Sequence, residues 1–331
     1  MAIDIKLFQK IILENKSFIL TTHVNPDGDA IGSVIAMANF LLQMGKNVSI
    51  INCSETPKNY IFLDKEKKIE NYETSLDKKI LSCDVIMVLD TNSGSRLKSM
   101  ENIVKTSTAK KIIIDHHLDE ENFCDFYFTD TSLASTGEIV YNLISSMTEK
   151  FDFNESISTS LYTAIMTDTG SFRYPRTTDK TFFIAADLIS KGASPTSTYE
   201  NVYENWSLGK ISLLGKMLSQ IKFFCENKIA ISFCSKQNFI ETNTNEIATD
   251  GFTSYLMSIE NIKIGILINE LNDGVKISFR SKGEIAVNEF AKKFAGGGHK
   301  NASGARVFDI RLDEFLPKLI SEIENFYNNK L

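Results

Sequence analysis

The chain has five cysteines and no Cys-x-x-Cys pair among them. Cys53, Cys83, Cys124, Cys225 and Cys234 are an odd, scattered set, which argues against a disulfide framework and against cysteine-bound zinc. No run approaches the roughly 18 uninterrupted apolar residues of a membrane span. Met1 to Phe8 carries Asp4 and lacks the basic start and small-residue cleavage site of a secretory signal. Together these point to a cytoplasmic protein with reduced thiols and no membrane partner. There is no internal repeat, low-complexity tract or long charge run. Basic residues are also in deficit: 36 Lys and Arg against 42 Asp and Glu give a formal net charge of −6. That balance argues against a broad footprint on long duplex nucleic acid. It leaves room for a small anion in a locally basic pocket. Histidine is scarce, four in 331 residues, so the place of each one matters.

What remains is the make-up of an ordinary globular protein, 43% apolar and 24% charged, long enough for about two domains. Residues 5–15 have helical periodicity. Phe18-Ile19-Leu20 is a short apolar run read as a buried strand, and Ala30 to Met44 reads as a helix stopped by Gly45. Asn47 to Ile51, Cys83 to Leu89 and Lys111 to Ile114 read as further strands. Such alternation predicts βαβ units and a parallel sheet, with ligands outside the carboxyl ends of the strands. From Ala134 to Ile189 the pattern is helical, with Ser135-Thr136-Gly137-Glu138 opening one helix and Ser158 to Met166 forming another. Gly192 and Pro195 mark a break. Thr198 to Ile221 reads as helix interrupted near Trp206 to Gly209. Beyond it, strands at Ile229–Phe233, Ile264–Ile268 and Val275–Phe279 alternate with helices at Gly251–Ile259, Val287–Phe294 and Leu312–Tyr327, a small mixed sheet. The expected division is a catalytic domain over 1–192, a helical connector over 193–222 and a smaller α/β domain over 223–331.

The seven residues His23-Val24-Asn25-Pro26-Asp27-Gly28-Asp29 form the strand-to-helix loop after the first strand. One imidazole and two carboxylates there fit a divalent-metal site. Alone, they fit equally well an ordinary turn in which Asp29 caps the next helix. Two more polar clusters follow predicted strands directly: Asp90, then Asp115-His116-His117. All three should converge on one rim of the sheet. With Asp168, after the helix that ends at Met166, they make an oxygen-rich set without thiolate. Six or seven such groups are too many for one open ion and suit two ions roughly 3.5–4 Å apart, bridged by a carboxylate and a water. Mn²⁺ and Mg²⁺ favour this donor set, and Co²⁺ is compatible with it.

These residues resemble the DHH phosphoesterase superfamily: His23-x-x-x-Asp27-x-Asp29, Asp90, Asp115-His116-His117 and Asp168 match its four motifs in order. Gly296-Gly297-Gly298-His299, followed by Ala302-Ser303-Gly304, matches the glycine-rich motif of the DHH-associated C-terminal domain. Within the superfamily the chain is similar to short two-domain bacterial members that act as oligoribonuclease (nano-RNase) and pAp phosphatase. The resemblance implies an N-terminal parallel-sheet domain and a mixed-sheet C-terminal domain with the active site between them. It also implies one ion on His23, Asp27 and Asp90, and another on Asp29, Asp90, His116 and Asp168. Asp115 would orient a ligand histidine from behind, and His117 would face the substrate phosphate. The implied reaction uses a two-metal-activated water to cut oligoribonucleotides of about two to five nucleotides to nucleoside 5′-monophosphates, and to convert pAp to AMP. The implied partners are short single-stranded RNA or small adenine nucleotides, and family analogy allows a homodimer. Cyclic di-AMP or linear pApA hydrolysis is the main alternative. Manganese inorganic pyrophosphatase and a non-catalytic nucleotide sensor stand further off.

Residues 275–306 hold seven basic side chains (Lys276, Arg280, Lys282, Lys292, Lys293, Lys300, Arg306) against Glu284 and Glu289. A Gly-Gly-Gly-His run alone reads as a flexible turn. Read with the family motif, it becomes a backbone cradle for an anion, with Arg280 available to grip a phosphate in two places. Arg173, just past Asp168, is a further candidate for substrate contact.

Overall fold

In this computed structural model, residues 3–118, 121–147 and 151–328 are described. They form two compact units, Met1–Asn205 and Trp206–Leu331. The first contains six strands: β1 Ser17–Thr21, β2 Asn47–Asn52, β3 Ile69–Asn71, β4 Val85–Leu89, β5 Lys110–Asp115 and β6 Phe126–Thr129. Its helices are α1 Ile5–Glu14, α2 Gly28–Gln43, the short α3 Asp77–Leu81 and α4 Glu101–Thr106, then α5 Thr136–Ser145, α6 Glu155–Asp168, α7 Asp179–Ser190 and α8 Pro195–Tyr203. The strand order is β3-β2-β1-β4-β5-β6, and every pairing is parallel.

A parallel sheet is buried on both faces, which is why its strands read as continuous apolar runs. Phe18, Leu20, Met87, Leu89, Ile112 and Ile114 face a core shared with α2, α5 and α6. The alternate residues Ile19, Ile86, Val88 and Ile113 face a second core with Ile80, Leu97, Met100 and Val104. α2 lies very close to α6. A Cβ on Gly28 would sit 2.4 Å from Thr167 Oγ1, and one on Gly32 would sit 2.3 Å from the Ser160 carbonyl oxygen. Only glycine at both positions permits this approach. It brings the start of α2, with Asp29, beside the end of α6, with Asp168.

The second unit carries β7 Lys222–Phe224, β8 Ile229–Cys234, β9 Ile264–Leu271, β10 Gly274–Ser281, β11 Gly297–His299 and β12 Ala302–Phe308. Its helices are α9 Leu208–Ser219, α10 Lys236–Thr242, α11 Phe252–Met257, α12 Val287–Ala291 and α13 Leu312–Asn328. The sheet order is β11-β12-β10-β9-β8-β7, antiparallel except between β8 and β9. Phe279, Phe290, Phe294 and Phe315 fill its core with the buried stripe of α13: Leu312, Leu319, Ile323 and Tyr327.

Two readings of the sequence need correction. The cap of α2 is Asp27, whose Oδ1 accepts from the backbone N–H of Asp29 and Ala30 at 3.1 Å each; Asp29 is already helical. The glycine run is no free turn either, because Gly297–His299 forms strand β11 on the edge of β12. The division between units falls between α8 and α9, inside the 193–222 segment expected to connect them.

Candidate metal centre and active site

Each ligand candidate is delivered by the end of a regular element. His23 follows β1. Its Nδ1 lies 2.9 Å from the Val24 carbonyl oxygen, a bond that makes Nδ1 the donor and leaves the Nε2 lone pair facing inward. That Nε2 is 3.4 Å from Asp90 Oδ2. Asp90 follows β4 with φ of +60°, a left-handed turn that aspartate tolerates better than most residues. It is 1% exposed; Oδ1 accepts from Thr136 Oγ1 at 3.0 Å, while no donor reaches Oδ2.

Asp29 is equally buried and is fixed by the first turn of α5. Its Oδ2 accepts from Thr136 N at 2.7 Å and its Oδ1 from Gly137 N at 2.8 Å. A carboxylate at a helix start is electrostatically favoured. Burial, with the charges of Asp90, Asp168 and Asp27 next, outweighs that and holds Asp29 well above the usual carboxylate range. Burial and then Asp27, Asp115 and Asp168 do the same to Asp90. Asp168 is pushed up to about 6, by burial first and then by Asp27. The two inner histidines move the opposite way: burial lowers His23 and takes His116 down to about 4, with His117 adding to the effect on His116.

The rings of His116 and His117 meet edge to face, centroids 4.5 Å apart, yet they have different partners. His116 is buried with Nε2 3.3 Å from Asp168 Oδ2 and 3.8 Å from both Asp29 Oδ2 and Asp90 Oδ1. His117, with 42% of its side chain exposed, turns back so that Nδ1 meets Asp115 Oδ1 at 2.7 Å. Asp115 therefore orients His117, where the sequence assigned it to a ligand histidine.

Three sets of donor atoms lie within 4.8 Å of one another: His23–Asp27–Asp90, Asp29–His116–Asp168 and Asp90–His116–His117. Unprotonated imidazoles, clustered carboxylates that repel one another in a dry site, and an unpartnered Asp90 Oδ2 fit divalent cations, which would supply the missing charge.

Several functional neighbours escaped the sequence. Thr136 and Gly137 were read only as a helix start, although an Ser-x-x-Glu opening marks N–H groups free to hold an anion. Asn92 Nδ2 donates to the His117 and Leu118 carbonyl oxygens at 3.2 and 2.9 Å, holding the loop after β5. The positive charge of Arg176 acts on His116 and Asp168. No sequence signal separates it from other surface arginines. Arg173 is exposed and its Nε donates to the Gly170 carbonyl at 2.7 Å, bracing the turn after Asp168.

In the second unit, Arg280 pairs with Ala302 across β10 and β12, and Ala302 pairs with His299 across β12 and β11. Cross-strand partners share a face, so Arg280 and His299 lie in one row on the side opposite the buried Phe279. A Cβ on Gly296 would meet the Gly304 carbonyl at 2.2 Å and Gly298 has φ of +132°, whereas Gly297 faces open space. The basic excess is partly spent internally: Lys293 pairs with Glu322 at 2.6 Å, Lys300 with Glu284 at 2.5 Å, and Arg306 with both oxygens of Asp273 at 2.9 and 3.0 Å.

Residues 17–167 match the DHH family, N-terminal domain, and residues 226–329 match the DHHA1 domain. The bifunctional oligoribonuclease and PAP phosphatase NrnA of Bacillus subtilis is 30% identical over 295 residues, covering 88% of this chain and 90% of that one. Its Thermus thermophilus counterpart is 28% identical over 306 residues, 92% and 88% of the two chains. A crystal structure of an exopolyphosphatase-related protein from Bacteroides fragilis superposes with a TM-score of 0.90 at 32% identity, over 97% of this chain and 96% of that one. Exonuclease RecJ bound to manganese shares the fold, at a TM-score of 0.55 and 12% identity over 97% and 92% of the chains. Among the described residues no helix is long and apolar enough to cross a membrane. With both domain matches in place and the carboxylate and histidine rim from His23 to His117 inside the first of them, the chain belongs to the DHH family of phosphoesterases and is a phosphoric ester hydrolase.

Proposed function

We propose that this hydrolase degrades oligoribonucleotides of a few nucleotides to nucleoside 5′-monophosphates and removes the 3′-phosphate of pAp, using two divalent ions with Mn²⁺ preferred. The observation that carries the reading is the position of Asp90. It belongs to the His23–Asp27–Asp90 set and stands 3.8 Å from His116 of the Asp29–His116–Asp168 set. Those residues would hold the ions, which when bound activate water and neutralise charge on the phosphoryl oxygens. The substrate class follows the relatives named as oligoribonuclease and PAP phosphatase.

The chain's own residues have separate tasks. Water attacks phosphorus in line, the bond to the leaving oxygen breaks, and that oxygen needs a proton. His117 is assigned to supply it from Nε2, with Asp115 engaging Nδ1 and fixing the ring. Thr136 and Gly137 keep Asp29 and Asp90 in fixed rotamers. Arg280, His299 and the Gly296–Gly298 backbone of the second unit and Arg173 of the first are assigned to substrate binding. The test is a panel of pAp, short RNA, longer RNA, pApA, cyclic di-AMP and pyrophosphate with Mn²⁺. Highest kcat/KM for pAp and short RNA is expected, and a preference for pyrophosphate or cyclic di-AMP overturns the assignment.

A further inference from the structure

A cavity of about 440 Å³ opens in the first unit among α2, α6, α8 and the 3₁₀ segment Lys58–Leu63. It is distinct from the metal centre, and none of the ligand candidates lines it. Ile35, Ala38 and Asn39 line it from α2, about 9–15 Å along that helix from Asp29 at 1.5 Å per residue. Ser160 is two turns before Asp168 on α6.

Two helices begin on its wall. α6 contributes its cap Asn154, then Glu155 and Ser156; α8 contributes its cap Ser194, then Ser197. The first N–H groups of a helix have no intrahelical acceptor, and the positive end of its dipole favours an anion. Asn154 already accepts from Ile157 N–H, Ser194 accepts from Ser197 N–H, and Pro195 has no N–H, so the donors left at the two starts are the backbone N–H groups of Glu155, Ser156 and Thr196. An independent observation points the same way. Ser160 and Thr198 line the cavity, each 1% exposed, and among the described residues neither hydroxyl has a hydrogen-bond partner. Buried hydroxyls without partners are unfavourable, and a ligand oxygen beside them would satisfy both.

Charge on the remaining wall is mixed. Asp64 is occupied by the backbone N–H groups of Lys68 and Ile69 at 2.7 and 3.0 Å. Lys68 donates to Asn39 Oδ1 at 3.3 Å and pairs with the exposed Glu66 at 3.0 Å, a surface pair of little strength, so Lys65 and, with exchange of these partners, Lys68 can meet an anion. Glu155 is exposed at the mouth. Ile35, Ile50, Phe62 and Leu63 supply an apolar side, and the volume is in the range of small-molecule sites.

We propose that this cavity binds a mononucleotide-sized organic anion. Its phosphate or carboxylate takes up the Ser160 and Thr198 hydroxyls on the side of the cavity where α6 and α8 begin, and its apolar body lies against Ile35, Phe62 and Leu63. The proposal does not depend on which phosphoester the metal centre cleaves.

The test is calorimetry on the full-length Asp90→Ala protein in EDTA, which removes metal-dependent binding. AMP, benzoate, adenosine and inorganic phosphate are the probes. One anion with an apolar body should bind at one per chain: AMP identifies a phosphate source and benzoate a carboxylate source. Adenosine and inorganic phosphate should bind at least about tenfold more weakly than that anion. Ser197→Trp, at an exposed position on the mouth, and Thr198→Val, which keeps shape and deletes the hydroxyl, should each weaken it about tenfold or more. Thermal melts confirm folding; if Thr198→Val is unfolded, Ser197→Trp decides. In the metal-loaded enzyme, Ser197→Trp should keep basal turnover. Binding of neither anion, adenosine binding as tightly as AMP, or affinity unchanged in the folded variants overturns the proposal.

Discussion

The carboxylate of Asp115 and Nδ1 of His117 are 2.7 Å apart, while His116 between them faces Asp168 at 3.3 Å. Two neighbouring histidines on one extended segment thus enter different environments, one dry and among carboxylates, the other half-exposed and braced from behind. Asp115→Asn keeps the shape and removes the carboxylate that meets His117 Nδ1. Its kcat on pAp should fall on the order of 10–100-fold with KM within about twofold, the usual effect of losing such a support. Steady-state kinetics separate the two parameters, and a change confined to KM would assign Asp115 to substrate binding instead.

Thr136 touches two metal-ligand candidates at once, Asp29 through its backbone and Asp90 through its hydroxyl. Thr136→Val preserves the first contact and deletes the second. Manganese affinity, measured by titration of the metal-free protein, should drop about tenfold, with the melting temperature little changed.

The raised carboxylates predict how metal-free stability depends on pH. Asp168 titrates at about 6 in the fold, against 3.8 as its ordinary value, and Asp29 and Asp90 lie well above 3.8. An acid whose folded pKa is raised contributes stability that is complete below its unfolded value and is lost as pH rises through the folded value. His23 and His116, whose pKa burial lowers, act in the opposite sense over the same range, because there the unfolded chain binds more of their protons. The sign for Asp168 is therefore read as the difference in metal-free melting temperature between wild type and Asp168→Asn. Wild type should lose melting temperature relative to the variant as pH rises from about 4 to 7. The increase produced by Mn²⁺ should be larger at pH 7 than at pH 5. A wild-type-minus-variant difference that rises across this window would contradict the raised pKa of Asp168.

The glycine run separates into positions of different tolerance. Gly297→Ala faces open space and should leave the melting temperature within error. Gly296→Ala meets the Gly304 carbonyl, and Gly298→Ala places a side chain at φ of +132°. Each should cost about 1–3 kcal/mol, read by chemical denaturation.

The fold class was legible because buried parallel strands are the strongest apolar runs in the chain, and β1, β2, β4 and β5 are such runs. β3 is three residues long and only partly buried, and Phe126–Thr129 is a half-buried edge strand, so neither carries the pattern. β11 was hidden because glycine has low strand propensity and is held there by pairing with β12. At the candidate site, the side chains that come together were legible from their places after strands, except Asp168, which ends α6. Thr136, Gly137 and Asn92 were not, since they act through a backbone N–H, a hydroxyl or an amide that many turns also contain. The partner of Asp115 depended on which way each histidine of a consecutive pair turns, a fact of backbone geometry.

The central claim is that Asp90 is shared between two ions at the hydrolytic centre. The most direct measurement is manganese stoichiometry and pAp turnover, taken together on wild type and Asp90→Ala, with melting curves to confirm folding. Wild type should bind two Mn²⁺ per chain and turn over pAp. The folded variant should bind at most one and lose turnover by about a thousandfold or more. A folded Asp90→Ala protein that binds two Mn²⁺ and hydrolyses pAp at the wild-type rate would contradict the account.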